Sequence, residues 1–182
     1  MGRAYKNFWS LNTDEAVAVG ILRDGTPRNI EVLMPLNAQM KGIDLVLINI
    51  KSKKVVTLQV KGSRAFEPRK SEVKRFGPGT TGFFFPKKET IINATADYFV
   101  FLIYVIEEVK KIGRRIIEPH LIVIPTLELK KLTLKYKILR KNSYCYYIWI
   151  NPKKKEAFDF ANKKYYLTKY LDKKGISIIK FK

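Results

Sequence analysis

Three residues of types that can do chemistry stand close together in this chain of 182 residues: Asp44, Gln59 and Lys61. Asp44 lies within Gly42-Ile43-Asp44-Leu45-Val46-Leu47-Ile48, an apolar run where a lone carboxylate is costly unless it is paired or meets a cation. Gln59 and Lys61 are two apart in Val55-Val56-Thr57-Leu58-Gln59-Val60-Lys61-Gly62-Ser63, so on a strand they face the same side. The polar Lys51-Ser52-Lys53-Lys54 between the two runs predicts a hairpin that folds the second strand back beside Asp44. A carboxylate, an amide oxygen and an ammonium then converge at one end of that hairpin. Mg²⁺ takes oxygen ligands and keeps several waters, so Asp44, Gln59 or a main-chain carbonyl such as that of Val60, and a substrate phosphate suffice to hold it. Such an ion activates water and offsets charge at phosphorus, and a neighbouring lysine positions or deprotonates the attacking water. Glu15, on a predicted first helix, is placed in sequence to add a second carboxylate. The chemistry indicated is phosphodiester hydrolysis with Mg²⁺ or Mn²⁺.

The charge balance names the substrate class. Lysine and arginine number 36 against 16 acids, a formal net charge of +20, which repels itself in a compact domain unless a polyanion neutralises it. Nucleic acid is the natural partner, because each phosphate contact releases condensed counterions. A lysine- and isoleucine-rich thermophile surface is the plain alternative, but such a surface carries glutamate to match its lysine. Cys145 is the only cysteine and His120 the only histidine, which excludes an intramolecular disulfide and Cys- or His-based zinc centres. The N-terminal Met1-Gly2-Arg3-Ala4-Tyr5-Lys6 lacks a signal peptide's apolar stretch, and the apolar segment from Tyr98 to Ile106 is too short to span a bilayer. The expectation is a soluble, cytoplasmic protein with no membrane partner.

These residues need elements to position them. Asn12-Thr13-Asp14-Glu15 opens a helix, by capping and by acids in its first turn, and Asp24-Gly25-Thr26-Pro27 stops it. Ile30 to Leu33 reads as a short strand before the hairpin, giving a three-stranded meander. From Gly62 to Thr95 the glycine, proline, arginine and lysine content predicts loops. Tyr98 to Val105 reads as a strand buried on both faces, Glu107 to Arg115 as a charged connector, and Leu121 to Ile124 as another buried strand. Thr126 caps a helix through Lys131, Tyr144 to Ile150 forms a strand, Lys163 to Leu171 an amphipathic helix, and Ile176 to Phe181 a last strand. The class is α/β (α+β), a central mixed sheet flanked by helices in one domain over residues 1–182. Tyr144, Tyr146, Tyr147 and Trp149 read as core and sheet-face residues.

Asp44, followed after fourteen residues by Gln59-Val60-Lys61, resembles the acid and (D/E)-x-K signature of the PD-(D/E)XK, or restriction-endonuclease-like, nucleases, a superfamily that includes archaeal Holliday junction resolvases. The motif covers roughly residues 11 to 64, and the order helix, hairpin, loop, strand, helix extends the likeness to Ile124. The resemblance implies a restriction-endonuclease-like core and a metal-dependent DNA endonuclease, structure-specific like a resolvase or restriction- or repair-like. Asp44 matches the metal-binding aspartate, Lys61 the catalytic lysine and Glu15 the helix-borne glutamate. Gln59 departs from the pattern by replacing the second acid with a neutral amide. DNA is the partner implied, with a homodimer among the arrangements allowed. Lys41, Ser63, Arg64, Arg69, Lys70, Lys74 and Arg75 are the candidate DNA contacts, interleaved with Phe66 and Phe76. Two alternatives stand beside this reading: a DNA-binding protein that kept the fold and lost catalysis through Gln59, and a basic ribosome- or chromatin-associated protein in which Asp44 and Lys61 lie apart.

Overall fold

The computed structural model describes residues 13–35, 42–109, 114–135, 142–161 and 164–181. The first helix, α1 (Thr13–Gly25), carries Asp14 and Glu15 in its first turn and Arg23 in its last, the charge order its dipole favours. Ala18 and Leu22, one turn apart, are its buried residues, so it meets the sheet along a narrow stripe.

β1 (Ile30–Leu33), β2 (Leu45–Asn49) and β3 (Lys54–Gly62) form the expected antiparallel meander. Asn49 builds the hairpin turn: its side-chain oxygen accepts the N–H groups of Lys51 and Ser52, each at 3.1 Å. β5 (Tyr98–Val109) lies parallel to β3, and β6 (Arg114–Pro125) pairs antiparallel with β5, giving the order β1-β2-β3-β5-β6. The charged stretch expected as a connector is instead the far end of this hairpin, which pairs from Tyr98 opposite Pro125 to Val109 opposite Arg114. Main-chain pairing needs no apolar side chain, so strand continued where the apolar signal had stopped.

The region expected as loops contains α2 (Lys70–Phe76), β4 (Thr80–Phe84) and α3 (Lys88–Ile92). β4 opens a second, antiparallel sheet with β7 (Tyr146–Asn151), β8 (Glu156–Asp159) and β9 (Tyr165–Tyr166), in the order β4-β7-β8-β9. Gly82 belongs inside β4 because the strand passes close over Ile103, whose Cγ1 would lie 2.6 Å from any Cβ there.

α4 (Thr126–Thr133) follows β6 directly. Thr126 does not cap it; its hydroxyl donates to the Ala96 carbonyl at 2.6 Å, and Pro125 holds the cap position. The amphipathic helix expected from Lys163 to Leu171 is not formed among the described residues. Tyr165–Tyr166 is β9, Thr168–Tyr170 is a single 3-10 turn, and the helix comes later as α5 (Asp172–Ser177), where a strand was expected from Ile176. Lys163 itself lies outside the described residues.

Two apolar layers result. On one face of the first sheet, Leu45, Leu47, Leu58, Val60 and Val100 pack with Ala18 and Leu22 of α1. On the other, Phe99, Phe101, Ile103 and Ile122 pack with Phe84, Tyr146, Ile148 and Ile150 of the second sheet. The molecule is a mixed α/β fold whose central mixed sheet is flanked by helices, with a second sheet the sequence did not announce. No described helix is long and apolar enough to cross a membrane.

Candidate functional site

Alternation along β3 sorts the site residues. Leu58 and Val60 turn into the layer under α1, so Gln59 and Lys61 turn the other way, alongside Phe99 and Phe101 of β5. Asp44 stands one residue before β2, whose Leu45 opposes Leu58. Its N–H donates to the Leu58 carbonyl at 2.9 Å, and its Oδ2 accepts the N–H of Val60 at 2.7 Å. The carboxylate thus takes the place of a ladder carbonyl, which is how an otherwise apolar run accommodates it. Lys61 Nζ approaches the same Oδ2 at 3.8 Å, with 34% of the Lys61 side chain and 22% of that of Asp44 exposed. A pair this open to water contributes under about 1 kcal/mol to stability. Asp44 and Lys61 thus come together at the open end of the hairpin, and Gln59 lies on the same face of β3 as Lys61.

Gln59 is 6% exposed, and its Oε1 is buried with no hydrogen-bond partner among the described residues. Leaving such an acceptor unpaired costs about 1–3 kcal/mol, so the oxygen is suited to a water or a cation. Val60 offers only its main chain, since its side chain is in the α1 layer. Its N–H points at Asp44, and the N–H and C=O of one strand residue project to the same side, so its carbonyl is directed there too. A carboxylate, an amide oxygen and a main-chain carbonyl are hard oxygen donors and fit Mg²⁺ or Mn²⁺. Among the described residues no group of three or more His, Cys, Asp or Glu side chains is gathered to hold a metal, so the set carries little negative charge.

The acid that α1 brings against the end of β3 is Asp14. A Cβ at residue 62 would lie 1.9 Å from Asp14 Oδ2, so glycine there leaves room for the Asp14 side chain against the strand. Tyr104 donates its hydroxyl to Asp14 Oδ1 at 2.7 Å, and its pKa is pushed up to about 12, first by burial and then by that carboxylate. Glu15, the acid expected to share the cation, is half-buried with an interaction of its own, on a helix packed against the face opposite Gln59 and Lys61. Gly62, directly after Lys61, was the sequence signal that could have pointed to Asp14.

Models of known families, curated proteins and solved structures give no match to this chain.

Beyond Lys61 the chain turns basic. Arg64, Arg69, Lys70, Lys74 and Arg75 are all exposed, and the Arg75 guanidinium lies 4.9 Å from the centre of the Phe76 ring. Ser63 differs from them. It is 4% exposed, and its Oγ accepts the N–H of Phe83 at 3.0 Å, so the hydroxyl expected at a phosphate ties β3 to β4 instead. Lys41 lies outside the described residues. Tyr144, Tyr146 and Trp149 are buried, as core residues should be, while Tyr147 is half-buried. His120 is buried too, with Nδ1 2.8 Å from Asp172 Oδ2.

Proposed function

We propose that this chain is a Mg²⁺- or Mn²⁺-dependent DNA endonuclease of the PD-(D/E)XK kind, hydrolysing phosphodiester bonds at Asp44, Gln59 and Lys61. The observation that carries the reading is the buried, unpartnered Oε1 of Gln59 on the strand whose Val60 and Lys61 both meet Asp44 Oδ2. An antiparallel meander followed by a strand parallel to β3 supports a restriction-endonuclease-like core.

Each residue has a role that follows from its chemistry. Asp44 supplies the anionic ligand; both of its side-chain contacts among the described residues fall on Oδ2. Gln59 supplies a neutral oxygen, and Val60 a carbonyl. Bound there, the divalent ion would make a bound water easier to ionise and supply positive charge for the phosphate oxygens. Lys61, a third exposed, orients the attacking water and offsets charge on the phosphate. Because Gln59 brings no charge, Asp44 and Lys61 leave the site electropositive once a divalent ion is present, so a polyanionic substrate completes it. Arg64, Arg69, Lys70, Lys74 and Arg75 then hold phosphates on either side of the scissile bond.

The test is a cleavage assay with Mg²⁺ and with Mn²⁺ on duplex, flap and four-way DNA, comparing the parent with Asp44→Asn. Metal-dependent cleavage that the substitution removes is the expected result. Binding of all three substrates with no cleavage of any would replace the enzyme by a DNA-binding protein of the same fold.

A further inference from the structure

An aromatic cleft of about 310 Å³ opens where the chain leaves β3, lined in part by Phe66, Arg69, Thr81, Phe83 and Phe85. Its rings form one connected surface. Phe66 meets Phe83 edge-on with centroids 5.0 Å apart, Phe83 meets Tyr147 at 5.2 Å, and Phe85 meets Tyr147 at 6.1 Å. Phe66 is 40% and Phe85 58% exposed, so both rings are open to water. The floor is polar: Thr81 is 3% exposed, and its Oγ1 is buried with no hydrogen-bond partner among the described residues. The rim carries both signs, with Arg69 beside Glu67 and Glu72 on the cleft and Arg64 and Lys70 exposed near it in the chain. The connection to Asp44 and Lys61 is short, since Ser63, two residues after Lys61, accepts the N–H of Phe83.

A purely aliphatic guest has no use for the buried hydroxyl, and a simple anion has none for the aromatic walls. A flat heteroaromatic ring with a hydrogen-bonding edge, carried on a phosphate chain, uses the walls, the floor and the rim together. We propose that the cleft receives one unpaired nucleobase of a DNA strand whose phosphodiester lies at Asp44 and Lys61, an inference that rests on the nuclease reading for the position of that strand. Phe66 and Phe85 supply faces for stacking, the Thr81 hydroxyl meets the base edge, and Arg69 takes a neighbouring phosphate. A base inside a duplex cannot enter without leaving the stack. The substrate class is therefore DNA carrying an unpaired base beside the cleavage point, as in a flap, a mismatch or a single strand.

The experiment measures binding of the full chain in EDTA to two duplexes of equal length, each with a central 2-aminopurine, paired in one and mismatched in the other. Equal length keeps the phosphate charge constant, so the +20 of the protein acts alike on both. The mismatched duplex should bind about tenfold tighter, with a change in 2-aminopurine emission, a preference of the size one base-stacking contact gives. Phe85→Ala, at a position already more than half exposed, should abolish the preference and leave affinity for the paired duplex unchanged. Equal affinities for the two duplexes, or a preference that survives Phe85→Ala, overturn the cleft. Cleavage with Mg²⁺ but no preference leaves the nuclease standing without the cleft. A preference without cleavage leaves the cleft on a DNA-binding protein.

Discussion

Asp44 and Asp172 each flank a buried strand and each meet a basic side chain, yet their oxygens are used differently. Asp172 Oδ2 lies 2.8 Å from His120 Nδ1, and its Oδ1 accepts the N–H of Leu121 at 2.9 Å, so both oxygens tie α5 to β6. Asp44 takes Val60 and Lys61 on Oδ2 alone, with the unpartnered Gln59 oxygen on the adjacent strand. The cavity at Asp172 is roomy, about 580 Å³, and is edged by Lys153, Lys155, Lys173 and Lys174. Size and positive charge therefore do not separate the two places. What separates them is whether the protein has already used the acid's hydrogen-bonding capacity.

The largest effects should come from exchanging the two aspartates' fates. Asp172→Ala strips a partner from buried His120 and from the N–H of Leu121, at about 2–3 kcal/mol of stability. It also places alanine at φ 47°, which adds strain. Cleavage per folded molecule should persist. Asp44→Asn keeps an acceptor for the N–H of Val60, so stability should change by less than about 1 kcal/mol. Cleavage should fall more than about a hundredfold, beyond what loss of even an outer-shell partner of a metal site causes. Denaturant unfolding and a Mg²⁺ cleavage assay read the two quantities. If Asp172→Ala silences cleavage at unchanged stability, the comparison is inverted.

Next in size are the neighbours of Asp44. Lys61→Ala should stop turnover and leave Mn²⁺ binding intact by titration calorimetry, because the ammonium serves water and phosphate. Gln59→Glu adds charge to a site poor in it and should tighten Mn²⁺ by about tenfold, since ligand charge count tunes such affinities. Unchanged affinity would remove Gln59 from the ligand set.

Much of this was legible in the sequence because it is local. The β-branched run Val55 to Val60 and the polar turn before it predict the hairpin, and the two-residue spacing of Gln59 and Lys61 predicts their shared face. The second sheet was illegible because its partners are remote. Thr80 pairs with Ile150 and Phe84 with Tyr146, and nothing within a short window around Gly77-Pro78-Gly79 announces that. Tyr165, Tyr166, Leu167, Tyr170 and Leu171 carry apolar spacing that a helix would satisfy. The structure meets the same need with β9 and a 3-10 turn, burying Leu167, Tyr170 and Leu171. That Asp14 is the acid meeting β3 was illegible for a related reason: which first-turn acid does so depends on helix docking at Gly62, which spacing does not encode.

A smaller effect concerns the two basic regions. Replacing Arg69 and Lys70 by alanine should lower the slope of log K against log salt by about 0.9 for each phosphate that is no longer neutralised. The same change at Lys153 and Lys155, beside the Asp172 cavity, should leave the slope as it was. An equal fall in slope for both variants would make the DNA track run past Asp172 as well.

The smallest effect is expected at Tyr104, where α1 meets the sheet. Its hydroxyl donates to Asp14 Oδ1 at 2.7 Å, and burial, then that carboxylate, raises its pKa from 10.0 to about 12. As pH rises, the unfolded chain loses this proton first, so ionisation favours unfolding. The contribution of the bond is complete below pH 10, declines as pH climbs towards about 12 and is lost above it. Tyr104→Phe should therefore cost about 1 kcal/mol near pH 8, and its stability should converge on that of the parent across that window. Lysines and other tyrosines titrate there too, so the readout is the difference between the two proteins by denaturant unfolding. DNA cleavage should be unaffected, because Asp14 approaches β3 from the face of α1 while Gln59 and Lys61 project from the other. If Tyr104→Phe lowered cleavage as far as Asp44→Asn does, Asp14 would belong to the site, and the separation of the two faces would fail.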